Sequence, residues 1–366
     1  MQDLYLILEN GQVFAGKSFG CQGEATGELV FTTSMVGYLE TLTDPSYCGQ
    51  IVIQTFPLIG NYGVIPADFE SEKPHLKAYI VREWCQEPSN FRSEGVLDTF
   101  LVDNNIIGLC GVDTRALTRI IRALTRIIRE HGVMNARITT DPQVTPEVLA
   151  EIKNHKVAQP VAAVTAKETT VSGVGSRKVV LWDLGAKRSI STYLQEHNCQ
   201  VINVPAATSA DDIMALQPDG IMLSNGPGDP TDNMAVVAEL QKVLAAGIPV
   251  FGVSLGHQLL ALAKGAKTCK LHYGHRGSSQ PVKYLASGKI YITSQNQGYA
   301  VDADTLPECA EITFANANDG VCEGINYMDQ PAFSVQFYPE TSGGPQDTSF
   351  LYDRFFEMID LAKEGK

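Results

Sequence analysis

At 366 residues the chain exceeds what one ordinary compact core accommodates, so two domains are expected. A hydrophobic content of 44% beside 19% charged residues excludes a disordered or fibrous chain, and the net charge of −13 argues against a nucleic-acid surface. No run approaches the ~20 apolar residues of a membrane helix, and Met1-Gln-Asp-Leu-Tyr5 has no basic region ahead of an apolar one, so a cytoplasmic protein is expected.

The first part reads as β-rich. Leu4–Leu8, Glu28–Thr33 and Gln50–Thr55 are short runs of β-branched and aromatic residues between Gly, Asp, Asn and Pro signals. Thr43-Asp-Pro-Ser46 is a turn by composition. A helix is expected after Asp113, where the Asp-Thr pair serves as cap. Within it Arg115-Ala-Leu-Thr-Arg-Ile-Ile121 is repeated at once as Arg122–Ile128. Seven residues lengthen a helix by about 10.5 Å and turn its downstream face by only about 20°. The copy is either a longer docking arm or a duplication the helix absorbs, and the small rotation favours the second.

Residues 151–176 are rich in Ala, Thr, Val and Lys and end in Val171-Ser-Gly-Val-Gly-Ser176, the composition of a linker. Beyond it strands and helices alternate. Lys178–Trp182, Gln200–Val204, Gly220–Ser224 and Ile248–Val253 are apolar strands, interleaved with helices at Arg188–His197, Asp211–Leu216 and Met234–Ala246. Repeated βα units with apolar strands imply a mostly parallel sheet covered on both faces, with ligands at the carboxyl ends of its strands.

Two motifs fall at such ends. Phe251-Gly-Val-Ser-Leu-Gly-His-Gln258 reads as a strand, a sharp turn and a helix start, the form of a nucleophile elbow. Gly252 and Gly256 permit the tight turn, Ser254 is thrust out above the sheet, and the helix start offers N–H groups to an oxyanion. Ser224-Asn-Gly-Pro-Gly-Asp-Pro230 is a glycine-rich loop after the preceding strand. Cysteines stand singly at 21, 48, 85, 110, 199, 269, 309 and 322, without a C-x-x-C pair, so reduced thiols and no metal site are expected.

The 224–230 loop, the 252–258 elbow and Val335-Gln-Phe-Tyr-Pro-Glu340 together resemble the oxyanion loop, elbow and distal triad motif of class I glutamine amidotransferases. Thr33-Ser-Met-Val-Gly-Tyr38, Leu42-Thr-Asp-Pro-Ser-Tyr47, Gly185-Ala-Lys-Arg188 and Gln295-Asn-Gln-Gly-Tyr299 extend the resemblance over the whole chain, to the small subunits of carbamoyl-phosphate synthases. The resemblance implies an α/β fold. A β-rich α/β N-terminal domain (1–150) would be followed by the linker (151–176) and a class I amidotransferase domain (177–366). It further implies glutamine hydrolysis and ammonia delivery to a large subunit in a cytoplasmic heterodimer, for carbamoyl phosphate used in arginine and pyrimidine synthesis. No cofactor is implied in this chain; ATP and Mg belong to the large subunit. Glutamine contacts implied by motif position are Ser46, Gly226, Gly228, Leu255, Gln258, Asn296, Gly298 and Tyr299. Backbone N–H groups of the glycines and the amides of Gln258 and Asn296 suit such recognition.

The chain departs from the family pattern where the chemistry lies. Ser254 stands at the cysteine nucleophile position and Tyr338 at the general-base histidine; the third triad member, Glu340, is kept. Gln297 replaces a histidine in the Gln-Asn-His-Gly segment. A thiol of pKa ~8.5 is partly ionised at neutral pH, whereas a serine hydroxyl depends on a base. A phenol of pKa ~10 is a poor proton acceptor at pH 7. Severely impaired glutamine hydrolysis is therefore expected. His257 is expected to pack or hydrogen-bond within its own motif, and His272 and His275 to lead away from the site. The alternatives are a non-catalytic docking subunit that supports ammonia-dependent synthesis and, more remotely, a serine hydrolase. The latter wants a histidine well after its serine, and none follows His275.

Overall fold

The computed structural model describes residues 1–111, 132–340 and 343–365. The duplicated heptad and the helix expected after Asp113 lie outside these residues. The chain forms two compact units, Met1–Ala158 with His272–Arg276, and Gln159–Leu271 with Gly277–Lys366.

In the first unit the apolar runs become a closed barrel, which the sequence does not announce. Its strands are β1 (Asp3–Leu8), β2 (Val13–Gly20), β3 (Ala25–Thr32), β4 (Ile51–Gln54), β6 (Ala78–Ile80), β8 (Ile107–Cys110) and β9 (Met134–Thr139), with a separate short pair, β5 (Leu58–Ile59) and β7 (Glu83–Trp84). The barrel order is β1-β2-β8-β6-β4-β3-β9, closed by antiparallel pairing of β1 with β9. Side chains alternate across the wall as the two-residue strand period requires. Leu4, Leu6, Leu8, Leu29, Phe31, Ile51, Ile53, Ile107 and Leu109 share the inner core. Val30, Val52 and Tyr79 point the other way, against Tyr38, Leu39 and Leu42 of helix Tyr38–Thr43 and Leu97 and Leu101 of helix Leu97–Asp103. The expected turn at Thr43–Ser46 is the end of the first of these helices and a 3-10 turn, Pro45–Tyr47, in which the Asp44 carboxylate accepts the Ser46 N–H at 2.8 Å.

The second unit holds one ten-stranded sheet. Its strands are β10 (Thr170–Ser172), β11 (Arg177–Asp183), β12 (Cys199–Pro205), β13 (Gly220–Leu223), β14 (Val250–Val253), β15 (Lys267–Tyr284), β16 (Ile290–Asp302), β17 (Ala310–Asn316), β18 (Cys322–Tyr327) and β19 (Ala332–Val335). Their order is β10-β12-β11-β13-β14-β19-β18-β17-β15-β16. The centre, β12 through β19, is parallel, as the apolar runs and interleaved helices predict. The flanks are antiparallel: β10 on one side, and the run β19-β18-β17-β15 on the other. Both faces are covered. Val180 and Trp182 enter one core, and Val179 and Leu181 the other. The second face is closed by helix Phe350–Glu364, whose Tyr352 and Phe355 pack on Phe251 of β14.

The stretch 151–176 carries more structure than its composition suggests. It takes in the end of helix Pro146–Asn154, helix Pro160–Val164 and β10. Val161 is buried in the same core as Trp182, so residues from Gln159 onward belong to the second unit. Small residues look linker-like in sequence, yet here they fit close to the sheet.

Candidate active site

The elbow forms as its sequence demands. Strand β14 ends at Val253, Ser254 turns, and helix Leu255–Ala263 begins. Ser254 adopts φ 54° and ψ −109°, a conformation sparsely populated by any residue with a side chain. The two glycines are sterically required. A Cβ on Gly252 would stand 2.8 Å from the Gly256 carbonyl oxygen, and one on Gly256 would stand 2.5 Å from that of Leu223. Backbone bonds fix the turn: the Ser254 N–H donates to the Val335 carbonyl at 2.9 Å and the Gly256 N–H to that of Ser224 at 3.0 Å.

The second of these bonds ties the elbow to the 224–230 loop. Gly226 lies so close to it that a Cβ would sit 2.7 Å from Leu255 Cδ2 and 2.3 Å from the Leu184 carbonyl oxygen. Gly228 has φ 91° and packs against Pro160. Ser224 Oγ accepts the Leu184 N–H at 2.9 Å and donates to the Asn225 carbonyl at 2.7 Å. Asn225 Oδ1 accepts the Lys187 N–H at 3.0 Å. Backbone thus approaches backbone without intervening side chains, which is how a loop brings its N–H groups to a substrate.

Tyr338 and Glu340 follow β19. Glu340 Oε1 accepts from the Lys187 ammonium at 3.3 Å, and its Oε2 accepts from the Tyr352 hydroxyl at 3.3 Å. The side chains of Lys187 and Glu340 are 5% and 0% exposed, so this is a buried ion pair. The same ammonium lies 4.3 Å from the centroid of the Tyr338 ring. Sequence reasoning gave Lys187 no role. The only signal was its place in Gly185-Ala-Lys-Arg188, a segment that served as a family marker.

Gln258 is buried, and its Nε2 donates to the Tyr299 carbonyl at 2.7 Å and to Gln336 Oε1 at 2.9 Å. The elbow helix is thereby joined to the 296–299 segment of β16, where Asn296 and Gln297 are buried. Gln297 Nε2 donates to Gln295 Oε1 at 2.9 Å, and Gln295 Nε2 to Thr293 Oγ1 at 3.1 Å, a ladder of side chains along one face of the strand. Gly226, Gly228, Ser254, Leu255, Gln258, Asn296, Gly298, Tyr299, Tyr338 and Glu340 all belong to the second unit, whereas Ser46 lies buried in the first.

Among the described residues, none of the histidines near the elbow is placed as a base for Ser254. His257 is fully buried, its Nδ1 is 2.8 Å from Ser334 Oγ, and burial pushes its imidazole down to about 3. His272 and His275 fall in the segment grouped with the first unit. His197 stacks on Tyr193 and its Nδ1 meets the Tyr193 carbonyl oxygen at 2.7 Å, beside the start of β12 and so at the opposite end of the parallel strands. The cysteines are free, and burial pushes the Cys199 thiol up to about 11 and the Cys322 thiol to about 12, away from thiolate chemistry. No helix among the described residues is long and apolar enough to cross a membrane.

A family model described as carbamoyl-phosphate synthase small chain, CPSase domain, matches residues 6–138, and one described as glutamine amidotransferase class-I matches residues 180–358. The carbamoyl phosphate synthase small chain of Syntrophotalea carbinolica is 45% identical over 99% of this chain and 99% of its own length. That of Bacillus cereus is 47% identical over 99% of this chain and 97% of its own. That of Fusobacterium nucleatum is 47% identical over 98% and 99% respectively.

Proposed function

The chain belongs to the carbamoyl-phosphate synthase small-chain family, with its glutamine amidotransferase domain, and from that premise we propose that it serves as a docking subunit whose own glutamine hydrolysis is largely lost. One observation carries the reading: the frame of the site is complete while its reacting atoms are replaced. The elbow, the glycine loop and the Gln258 bridge are all formed, yet among the described residues Ser254 has no imidazole partner, and Glu340 is engaged by Lys187.

Lysine serves as the base for serine in some hydrolases. Lys187 is poorly placed for that role, because its ammonium is held between the Glu340 carboxylate and the Tyr338 ring, and an ammonium donates protons rather than accepting them. The phenol of Tyr338 is an equally poor acceptor at neutral pH. A serine hydrolase finds no support either, since no histidine follows in the chain after His275.

The role in the pair would be to bind a large subunit that carries ATP and Mg and makes carbamoyl phosphate for the arginine and pyrimidine pathways. ADP and carbamoyl phosphate formed by this chain with a matching large subunit are to be measured with glutamine and with ammonium. Ammonium-dependent synthesis without glutamine-dependent synthesis is expected. The double substitution Ser254→Cys with Tyr338→His then raises glutamine use by several powers of ten, the scale on which triad members act. Comparable rates with the two nitrogen sources in the unsubstituted chain would refute the proposal and require a base other than Tyr338.

A further inference from the structure

Three consecutive residues, the last two of β19 and the one that follows it, each hold one residue of the elbow. Ser334 Oγ meets His257 Nδ1 at 2.8 Å, the Val335 carbonyl accepts the Ser254 N–H at 2.9 Å, and Gln336 Oε1 accepts from Gln258 Nε2 at 2.9 Å. Parallel pairing of β14 with β19 supplies the middle bond alone; the outer two are side-chain bonds added on either side of it. Ser334, Gln336 and His257 are all 0% exposed. The segment so held runs on to Tyr338 and Glu340, the base and acid positions of the site.

Stability does not explain this choice of residues. Gln336 Nε2 and His257 Nε2 are buried and find no hydrogen-bond partner among the described residues. A half-satisfied polar pair in a core is no better than a well-packed apolar one, and is often worse. What polar side chains add is direction, because a hydrogen bond fixes distance and angle where apolar packing tolerates a slide.

We infer that Ser334 and Gln336 are positioning residues, which set the elbow turn against the segment carrying position 338 and which this chain retains after losing the reacting groups. The inference rests on the amidotransferase reading of the site. It leads to the expectation that two substitutions suffice to restore hydrolysis, because the frame that would align them is still present.

The test adds Ser334→Ala, and separately Gln336→Met, to the Ser254→Cys/Tyr338→His chain bound to its large subunit. Each is expected to lower kcat for glutamine by roughly 10- to 100-fold, the scale of an ångström's misplacement, with KM within about threefold. Thermal midpoints distinguish this from unfolding, since Gln336→Met merely exchanges one unpaired N–H for another. A second readout needs no turnover: the pH midpoint for alkylation of residue 254 by iodoacetamide, followed by mass spectrometry of its peptide. The midpoint is expected to rise toward ~8.5 as the introduced imidazole loses its alignment. Unchanged kcat and midpoint overturn the inference, as does a rise in KM alone, which would make Gln336 a binding residue acting through Gln258. If the doubly substituted chain fails to hydrolyse glutamine, the amidotransferase reading falls. The alkylation midpoint then decides by itself: a rise in the added variants upholds the positioning role, and no rise refutes it.

Discussion

The two ends of the parallel strands in the second unit are built differently. At the starting end, charged groups sit near water. Arg177 grips Asp360 of the C-terminal helix with two bonds, at 2.9 and 2.6 Å, and Lys363 reaches Asp219 at 2.9 Å. At the finishing end the groups are buried and the backbone is strained. Ser254 takes a positive φ, Gly226 and Gly256 allow contacts no Cβ would survive, and Lys187 pairs with Glu340 out of water. One end fastens a helix. The other holds the geometry of the candidate site.

The contrast is tested most severely at the buried pair. Lys187→Met leaves the Glu340 carboxylate buried without its countercharge, and such a change costs about 3–5 kcal/mol. Chemical denaturation is expected to show a loss of that size, with most of it regained in Lys187→Met/Glu340→Gln. A loss below about 1 kcal/mol would make this pair no different from the exposed ones.

His257 offers a smaller effect with a characteristic pH window. Its folded imidazole titrates near 3, against ~6.5 in the unfolded chain. Between those values the unfolded state binds a proton that the folded state refuses, so stability falls as the pH is lowered from 6.5 toward 3. At pH 5 the loss attributable to this residue is about 2 kcal/mol, from 1.36 kcal/mol per unit. Stability measured at pH 7 and pH 5 is expected to differ less in His257→Asn by that amount; an equal difference would show that His257 titrates normally.

Much of this was legible before any coordinates. The βα order of the second unit follows from apolar runs broken by turn signals, and the elbow follows from glycines placed where a Cβ would collide. Closure of the barrel was not legible, because it depends on Leu6 of β1 meeting Ile138 of β9, a pairing with no local signal. The partnership of Lys187 with Glu340 spans 153 residues, a separation no local pattern bridges. Nor does anything in the run Ser334-Val-Gln336 mark its outer side chains as ties to the elbow. Local rules write the elements and the turns; which distant side chains satisfy one another is settled only when the sheet is assembled.

The smallest effect lies at the starting end. Hydrogen bonds from Arg177 hold the Asp360 carboxyl below the usual carboxylate range, but its side chain is 47% exposed, so solvent screens most of the benefit. Asp360→Asn is expected to cost no more than about 1 kcal/mol at pH 7. The sign of its pH dependence follows from the lowered folded value. The pair stabilises above the unfolded pKa of ~3.9 and is lost as the pH falls through the folded one, so parent and variant converge only below about pH 4. His257 acts higher, from pH 6.5 downward, so denaturation at pH 7, 5 and 3 separates the two ends of the sheet. Convergence of Asp360→Asn with the parent already at pH 5 would mean that the carboxyl is not held low, and the starting end would then contribute less to the fold than its short bonds suggest.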